Sequence, residues 1–234
     1  MELDFWHDKW EKNEIGFHLD APHPWLVNSA TDLGITEKQT VFVPLCGKTH
    51  DIDFLLQQGC HVVANELSEL AVQSLFDRLQ LTPEISEWLA PDSSGAGENS
   101  PTGKRYQAGS LTVYVGDFFK LTAQDIQSVN GGDVHWIYDR AALVALPLVM
   151  RQQYSQALSA LCPKAKQILM TLDYDQTQMA GPPFSVSVDE VNDHYSATYE
   201  IDIKHQQDII EKEPRFKQRG LSAFYQRLYC LTPK

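Results

Sequence analysis

The sequence predicts an α/β fold in which helices cover both faces of a mostly parallel sheet of about seven strands. Three observations predict it. Residues 40 to 66, TVFVPLCGKTHDIDFLLQQGCHVVANE, read as strand, tight turn, helix and strand, with Glu66 just past the second strand. Short β-branched or apolar runs then alternate with helical patterns as far as residue 172. The polar residues that punctuate this series fall at strand ends, where open sheets of this kind bind their ligands.

The chain begins with DFWHDKWEKNEIGFH (residues 4 to 18). Phe5, Trp6, Lys9 and Trp10 recur there at helical spacing, and Asn13 and Gly16 end the pattern. On pattern alone this is an amphipathic arm that packs two tryptophans on the core. Pro22, Pro24 and Trp25 introduce a second helix, Leu26 to Leu33, closed by Gly34. Residues 1 to 34 thus form an N-terminal helical cover. Thr40 to Pro44 is the first strand and Leu45-Cys46-Gly47-Lys48 the turn. Ile52, Leu55 and Leu56 line a helix that Gly59 stops, and His61 to Ala64 is the second strand. Glu66 stands 20 residues after Cys46, the spacing at which a carboxylate reaches ribose hydroxyls.

Ser68 caps a helix over Glu69 to Leu79 whose buried face is read as Leu70, Ala71, Ser74, Leu75 and Leu79. PDSSGAGENSPTGK, residues 91 to 104, is low in complexity and predicts a flexible surface insertion within a single domain spanning 1–234. Leu111 to Val115 is a strand ending at Gly116-Asp117. Val134 to Tyr138 is another, ending at Asp139-Arg140 and running into the helical AALVALP. A helix over Tyr154 to Leu161 leads to the strand Gln167 to Leu172, which ends at Asp173-Tyr174-Asp175. GPPF at 181 to 184 is a rigid loop, and Ser187 caps a helix over Val188 to Tyr195. Thr198 to His205 and a strand within Leu221 to Leu231 have no crossover helix between them, only the charged, mobile loop Asp208 to Arg219. They predict an antiparallel edge.

At 234 residues the chain can bury one sizeable core, and its 43% hydrophobic and 21% charged content is that of a globular protein. A formal net charge of −12, with scattered lysines and arginines, argues against a nucleic-acid partner. Cysteines 46, 60, 162 and 230 form no CxxC pair and read as free thiols in a reducing compartment. Residues 1 to 30 contain no apolar h-region of a secretory signal. The longest apolar stretch, Ala141 to Met150, includes Pro147 and is too short to span a bilayer. The expectation is a cytoplasmic monomer that acts on a small molecule, without nucleic-acid, membrane or metal partner.

Several chemistries can be weighed at the strand ends. A dinucleotide-dependent dehydrogenase needs GxGxxG, and the first turn has the single glycine Gly47. Gly47-Lys48-Thr49 and Asp139 match parts of a P-loop NTPase site, but Phe42 stands where that motif needs a glycine. The eight histidines include no HExxH, and no GxSxG is present. A nucleoside without phosphates needs a tight turn, a carboxylate for the ribose and a polar-then-apolar pair for the base. Glu66 and Asp117-Phe118 supply these, and S-adenosylmethionine is the common cofactor of this description. Each also has a plainer reading: Glu66 as a partner for the following helix dipole, Asp117 as a turn residue.

FW…KW…IGFH, VFVPLCGK, ELSELAVQ, WIYDRAALVAL, LDYD…GPPF and RFKQRGLSAFYQRLYCLT together resemble the thiopurine S-methyltransferase family in its bacterial form. The resemblance runs from about Phe5 to the C-terminus, interrupted mainly at 91 to 104. It implies a Rossmann-like class I methyltransferase fold, S-adenosylmethionine as donor, and S-methylation of aromatic or heterocyclic thiols such as thiopurines. By position it puts Trp10, Leu45, Gly47, Glu66, Asp117, Phe118 and Arg140 around the donor. Phe17, Arg140 and Arg215 fall near the acceptor, with Arg140 as the catalytic residue. It moves Trp10 and Phe17 from core packing to a lid. The bacterial family also implies methylation of selenium or tellurium species as an alternative. A non-catalytic S-adenosylmethionine-binding module is the alternative of a different class, and the intact Glu66, Arg140 and cover residues argue against it.

Overall fold

The computed structural model describes residues 3–12, 14–89, 101–129 and 132–234. The chain divides into two compact units, Glu2–Trp136 and Ile137–Lys234.

The first unit contains α1 (Leu3–Glu11), α2 (Pro24–Leu33), β1 (Thr40–Val43), α3 (Asp51–Gln57), β2 (His61–Glu66), α4 (Glu69–Arg78), β3 (Glu84–Leu89), β4 (Pro101–Ala108), β5 (Leu111–Val115) and α5 (Ala123–Ser128). Its strands lie in the order β3-β4-β5-β2-β1. β1 and β5 both run parallel to β2, with Val41 beside Val62 and Ala64 beside Val113. Every residue of β1 and β5 is buried, which is why these strands read as unbroken apolar runs. The caps follow the sequence. The Gly34 backbone is left-handed at φ 86° and closes α2, and the Ser68 side chain accepts the Ala71 N–H to start α4. The buried face of α4 is Ala71, Val72, Leu75 and Phe76, whereas Leu70 is 53% exposed and Ser74 points outward. The helix is therefore turned relative to the expected face.

β3 and β4 were not expected, and they raise the strand count from about seven to nine among the described residues. β3 is solvent-facing except at Trp88, so it carries no apolar run. Residues 101 to 104 belong to β4 and not to a flexible insertion: Lys104 lies opposite both Glu87 and Val115. Gly103, which reads as low complexity, is demanded by packing, since a Cβ there would stand 1.9 Å from the Val115 carbonyl oxygen. The rest of that stretch, 91–100, lies outside the described residues.

The second unit follows β6 (Trp136–Arg140), which begins at the boundary. It contains α6 (Leu148–Leu161), β7 (Lys166–Asp173), α7 (Val188–Tyr195), β8 (Tyr199–Asp208), α8 (Pro214–Gln218) and β9 (Tyr225–Pro233). The strand order is β6-β7-β9-β8. β9 is antiparallel to β7 and β8, with Leu169 beside Tyr229 and Ile201 beside Leu231, as the missing crossover predicted. Because β4 is antiparallel to β3 and β5 as well, antiparallel pairing occurs in both units and not at one edge. AALVALP forms a short 3₁₀ turn at Leu143–Ala145, with Ala141 left-handed at φ 61°, where a helix was expected. The charged loop 208–219 is anchored: it contains α8, and Ile210 and Phe216 are buried with Tyr174, Met179, Leu221 and Phe224. No described helix is long and apolar enough to cross a membrane, and all four cysteines are free and buried.

A buried ion pair joins α6 to α7. Arg151 Nε and Nη2 donate to Glu190 at 2.5 and 3.1 Å, Nη1 donates to the Leu146 carbonyl at 2.9 Å, and His194 Nε2 lies 3.2 Å from Glu190. Arg151→Met removes the guanidinium and leaves the mostly buried Glu190 carboxylate with only the His194 imidazole beside it, which costs about 3 kcal/mol. A fall in Tm on the order of 10 °C is expected; a change under about 2 °C would show that the pair is not what joins these helices.

Candidate active site

In the first unit the turn after β1 is built from two left-handed residues, Leu45 at φ 45° and Gly47 at φ 55°. Glycine adopts this conformation freely, whereas at Leu45 it carries a steric cost of roughly 1–2 kcal/mol. Something must hold the turn, and Glu66 at the end of β2 does so. Its Oε2 accepts the Gly47 N–H at 2.7 Å and its Oε1 accepts the Ser68 N–H at 2.9 Å. The Cys46 N–H donates to the Asn65 carbonyl at 2.8 Å, and the Gly116 N–H to the Glu66 carbonyl at 2.9 Å. Three strand ends are thus tied to one another. Arg78, at the end of α4, completes the bracing: it donates to the carbonyls of Lys48 (2.6 Å) and Thr49 (3.0 Å) and pairs with Asp53. Nothing local in the sequence marks Arg78, because a basic residue in a last helical turn already suits the helix dipole. The buried Cys46 thiol is pushed well above its ordinary pKa, first by burial and then by the Glu66 charge, so it is no nucleophile.

This donor set fits a nucleoside without phosphates. A carboxylate is acceptor-only, with about four acceptor positions, which suits it to ribose hydroxyls as well as to backbone N–H groups. The Gly47 N–H is donated to Glu66 and not offered outward to a phosphate, and a buried carboxylate repels phosphate charge.

Trp10 and Phe17 lie directly on this turn. A Cβ built on Gly47 would stand 3.1 Å from Trp10 Cζ2 and 3.8 Å from Phe17 Cε2. Their rings meet edge to face at 5.7 Å, and Trp6 packs on Phe17 at 5.9 Å. The structure therefore brings Trp10, Phe17, Leu45, Gly47 and Glu66 together. Asp117 follows Gly116, and its Oδ1 accepts the Phe119 N–H at 3.0 Å, capping the 3₁₀ turn Phe118–Lys120. Phe118 is a core side chain, 4% exposed.

In the second unit Arg140 is the last residue of β6, immediately before the left-handed Ala141; it does not begin a helix. Its half-buried position follows from Asp139, which is fully buried beside it. Asp139 accepts the Leu143 N–H at 3.1 Å and the Tyr154 hydroxyl at 2.8 Å, holding the strand end and the turn together. Arg215 lies exposed in α8. Its Nε donates to Glu213 at 3.1 Å, and its guanidinium lies 4.6 Å from the Phe216 ring centroid. Asp173 accepts from Arg227 at 2.5 Å, and Asp175 caps the turn at Thr177, so both are employed in the fold. The GPPF loop carries cis bonds at Gly181–Pro182 and Pro182–Pro183. It is fastened by the Tyr174 hydroxyl to the Pro183 carbonyl (2.5 Å) and by the Phe184 N–H to the Val144 carbonyl (2.6 Å).

Burial pushes Asp139 up to about 6, against the pull of the Leu143 N–H and the Tyr154 hydroxyl. Its folded value lies above the 3.8 of a free aspartate, so the folded state binds the proton more tightly than the unfolded chain. This stabilisation is complete below about pH 4 and is lost as the pH rises through about 6. The ionised, buried carboxylate then costs on the order of 3 kcal/mol. Between about pH 4 and pH 7, thermal melts should show Asp139→Asn gaining stability relative to the parent. A difference that stays flat with pH would contradict the assignment.

The sequence model of the thiopurine S-methyltransferase family matches residues 1–234. The thiopurine S-methyltransferase of Shewanella piezotolerans (strain WP3 / JCM 13877) is 40% identical over 235 residues, covering 100% of this chain and 100% of that protein. That of Pseudomonas fluorescens (strain Pf0-1) is 38% identical over 229 residues, 98% of each chain. Among solved structures, the 1,6-didemethyltoxoflavin-N1-methyltransferase of Burkholderia thailandensis, with bound 1,6-didemethyltoxoflavin and S-adenosylhomocysteine, aligns with a TM-score of 0.59 at 14% identity. It covers 98% of this chain and 87% of that one. That likeness is one of fold, the Rossmann-like class I methyltransferase fold. With a family model that spans every residue and relatives matched over nearly their full length, the chain belongs to the thiopurine S-methyltransferase family.

Proposed function

We propose that the chain transfers the methyl group of S-adenosylmethionine to the sulfur of aromatic or heterocyclic thiols such as thiopurines, with its donor seated at the turn that Glu66 holds. Family membership supports the activity and the cofactor. The observation that carries the site is the Glu66 carboxylate, an acceptor suited to ribose hydroxyls, which is held at the turn by the Gly47 and Ser68 N–H groups. Trp10, Leu45, Gly47, Glu66, Asp117, Phe118 and Arg140 are proposed around the donor, and Phe17, Arg140 and Arg215 toward the acceptor. For Arg140 and Arg215 this rests on the resemblance of WIYDRAALVAL and RFKQRG to the family. Residues 1–234 act in this reading as one methyltransferase domain, a cytoplasmic monomer with residues 1–34 as cover. A net charge of −12 supports the absence of a nucleic-acid partner.

Bound S-adenosylmethionine supplies an electrophilic methyl group on a sulfonium. The chain supplies position. Trp10 and Phe17, packed on Gly47, exclude water from the turn. An aromatic thiol is already partly ionised near neutral pH, so the chain needs no strong base. Arginine, charged at every relevant pH, holds the thiolate, and Arg140 is the residue proposed to do so. Most of the acceleration then comes from holding donor and thiolate in line.

Incubation with donor labelled in its methyl group and a thiopurine should give the labelled S-methyl product by mass spectrometry. Absence of label on every thiol offered contradicts the proposal. Glu66→Ala should weaken donor binding about 10- to 150-fold in a calorimetric titration. It should also lower Tm, because the Gly47 and Ser68 N–H groups lose their acceptor. Unchanged donor affinity in the folded variant would remove Glu66 from the site.

A further inference from the structure

The turn that Glu66 holds also gathers basic side chains. In a chain of net charge −12, Lys48, His50, Arg78 and His18 converge on one corner of the first unit. The His18 and His50 rings stack with centroids 5.6 Å apart and planes 30° from parallel. Burial, then the neighbouring Lys48, His50 and Arg78, lower the His18 pKa, with Asp20 opposing them. The imidazole is therefore neutral at neutral pH and offers an N–H rather than a charge. Asp51, Asp53 and Arg78 of this corner are already paired, and Asp20 is exposed. Asp53 pairs with Arg78 at 2.6 Å and lies 3.5 Å from His50 Nδ1, while Asp51 accepts the His23 N–H and the Thr49 hydroxyl. Lys48 differs: it is half-buried, and among the described residues no carboxylate or other acceptor pairs with its ammonium. A cation partly withdrawn from water without a counter-ion is stabilised by an incoming anion. Its place is chemically defined, because Lys48 follows Gly47, on which Phe17 packs, and His18 follows Phe17.

We propose that Lys48, flanked by the stacked His18 and His50, is a subsite for a carboxylate on the methyl acceptor, so that acidic aromatic thiols are preferred over neutral ones. This rests on the S-methyltransferase reading with Phe17 beside the acceptor. The carboxylate takes a charge-assisted hydrogen bond from the Lys48 ammonium and a second hydrogen bond from a histidine N–H.

The test compares mercaptobenzoate with the matching neutral mercaptobenzamide, using the intact chain and its Lys48→Met and Lys48→Arg variants. In the parent, KM for the acid is expected to be at least about tenfold below that for the amide. Lys48→Met should raise KM for the acid about tenfold while leaving kcat, KM for the amide and donor affinity within about twofold. Lys48→Arg, which keeps the charge, should retain most of the preference for the acid. The Tm of both variants should stay near the parent's, since among the described residues the ammonium has no partner to lose. An equal rise in KM for acid and amide would overturn the subsite. So would weakened donor binding with acceptor preference intact, which would assign the anion to the donor's own carboxylate. Transfer to the amide but not to the acid overturns the subsite and leaves the S-methyltransferase reading standing; transfer to no thiol overturns both.

Discussion

The Glu66 carboxylate accepts the backbone N–H groups of Gly47 and Ser68 and so shapes two turns at once. Burying a carboxylate is costly unless its oxygens are bonded. Here the cost is offset by two charge-assisted bonds, and the left-handed Leu45 and Gly47 are held in a conformation that Leu45 would not keep alone. Through the Glu66 carbonyl the end of β5 is tied to the same point. A turn so constrained has a fixed floor, and Trp10 and Phe17 can pack on it because Gly47 has no side chain. The group that organises this part of the fold is also the one suited to hold a ribose.

The other strand-end acids clarify why Glu66 stands apart. Topology alone makes every polar residue at a carboxyl strand end a candidate. Asp117 caps a 3₁₀ turn, Asp139 fastens the turn before Ala141, Asp173 pairs with Arg227 and Asp175 caps another turn. Each has a demonstrable structural task. Glu66 has one too, but its bonds go to the very turn where a ligand of this fold class sits.

How much of this was legible in the sequence depended on burial. β1, β2 and β5 are enclosed on both faces and write themselves as apolar runs, and Ser68, Ser187 and Gly34 announce helix ends by chemistry that is local. β3 and β4 escaped because their partners, not their composition, make them strands. Only Trp88 of β3 is buried, and β4 is held by contacts such as Lys104 and Tyr106 to Glu69, 35 and 37 residues away. The turn after Arg140 was misread for a related reason: AALVALP has helical propensity, but the buried Asp139 imposes a left-handed Ala141 and a 3₁₀ turn. Of the proposed site, Glu66 was legible from its spacing and Gly47 from the tight turn after the first strand. The packing of Trp10 and Phe17 on Gly47, the bracing by Arg78 and the lack of a partner for Lys48 among the described residues are visible only in three dimensions.

We propose that the donor sits on the turn that Glu66 holds, beneath Trp10 and Phe17. Amide hydrogen exchange over residues 3–12, 40–50 and 66–72, with and without S-adenosylhomocysteine, tests it most directly. Added ligand should slow exchange in all three segments together, because it rests on one turn that they share. Slowing elsewhere in the chain, with these three segments unchanged, would contradict it.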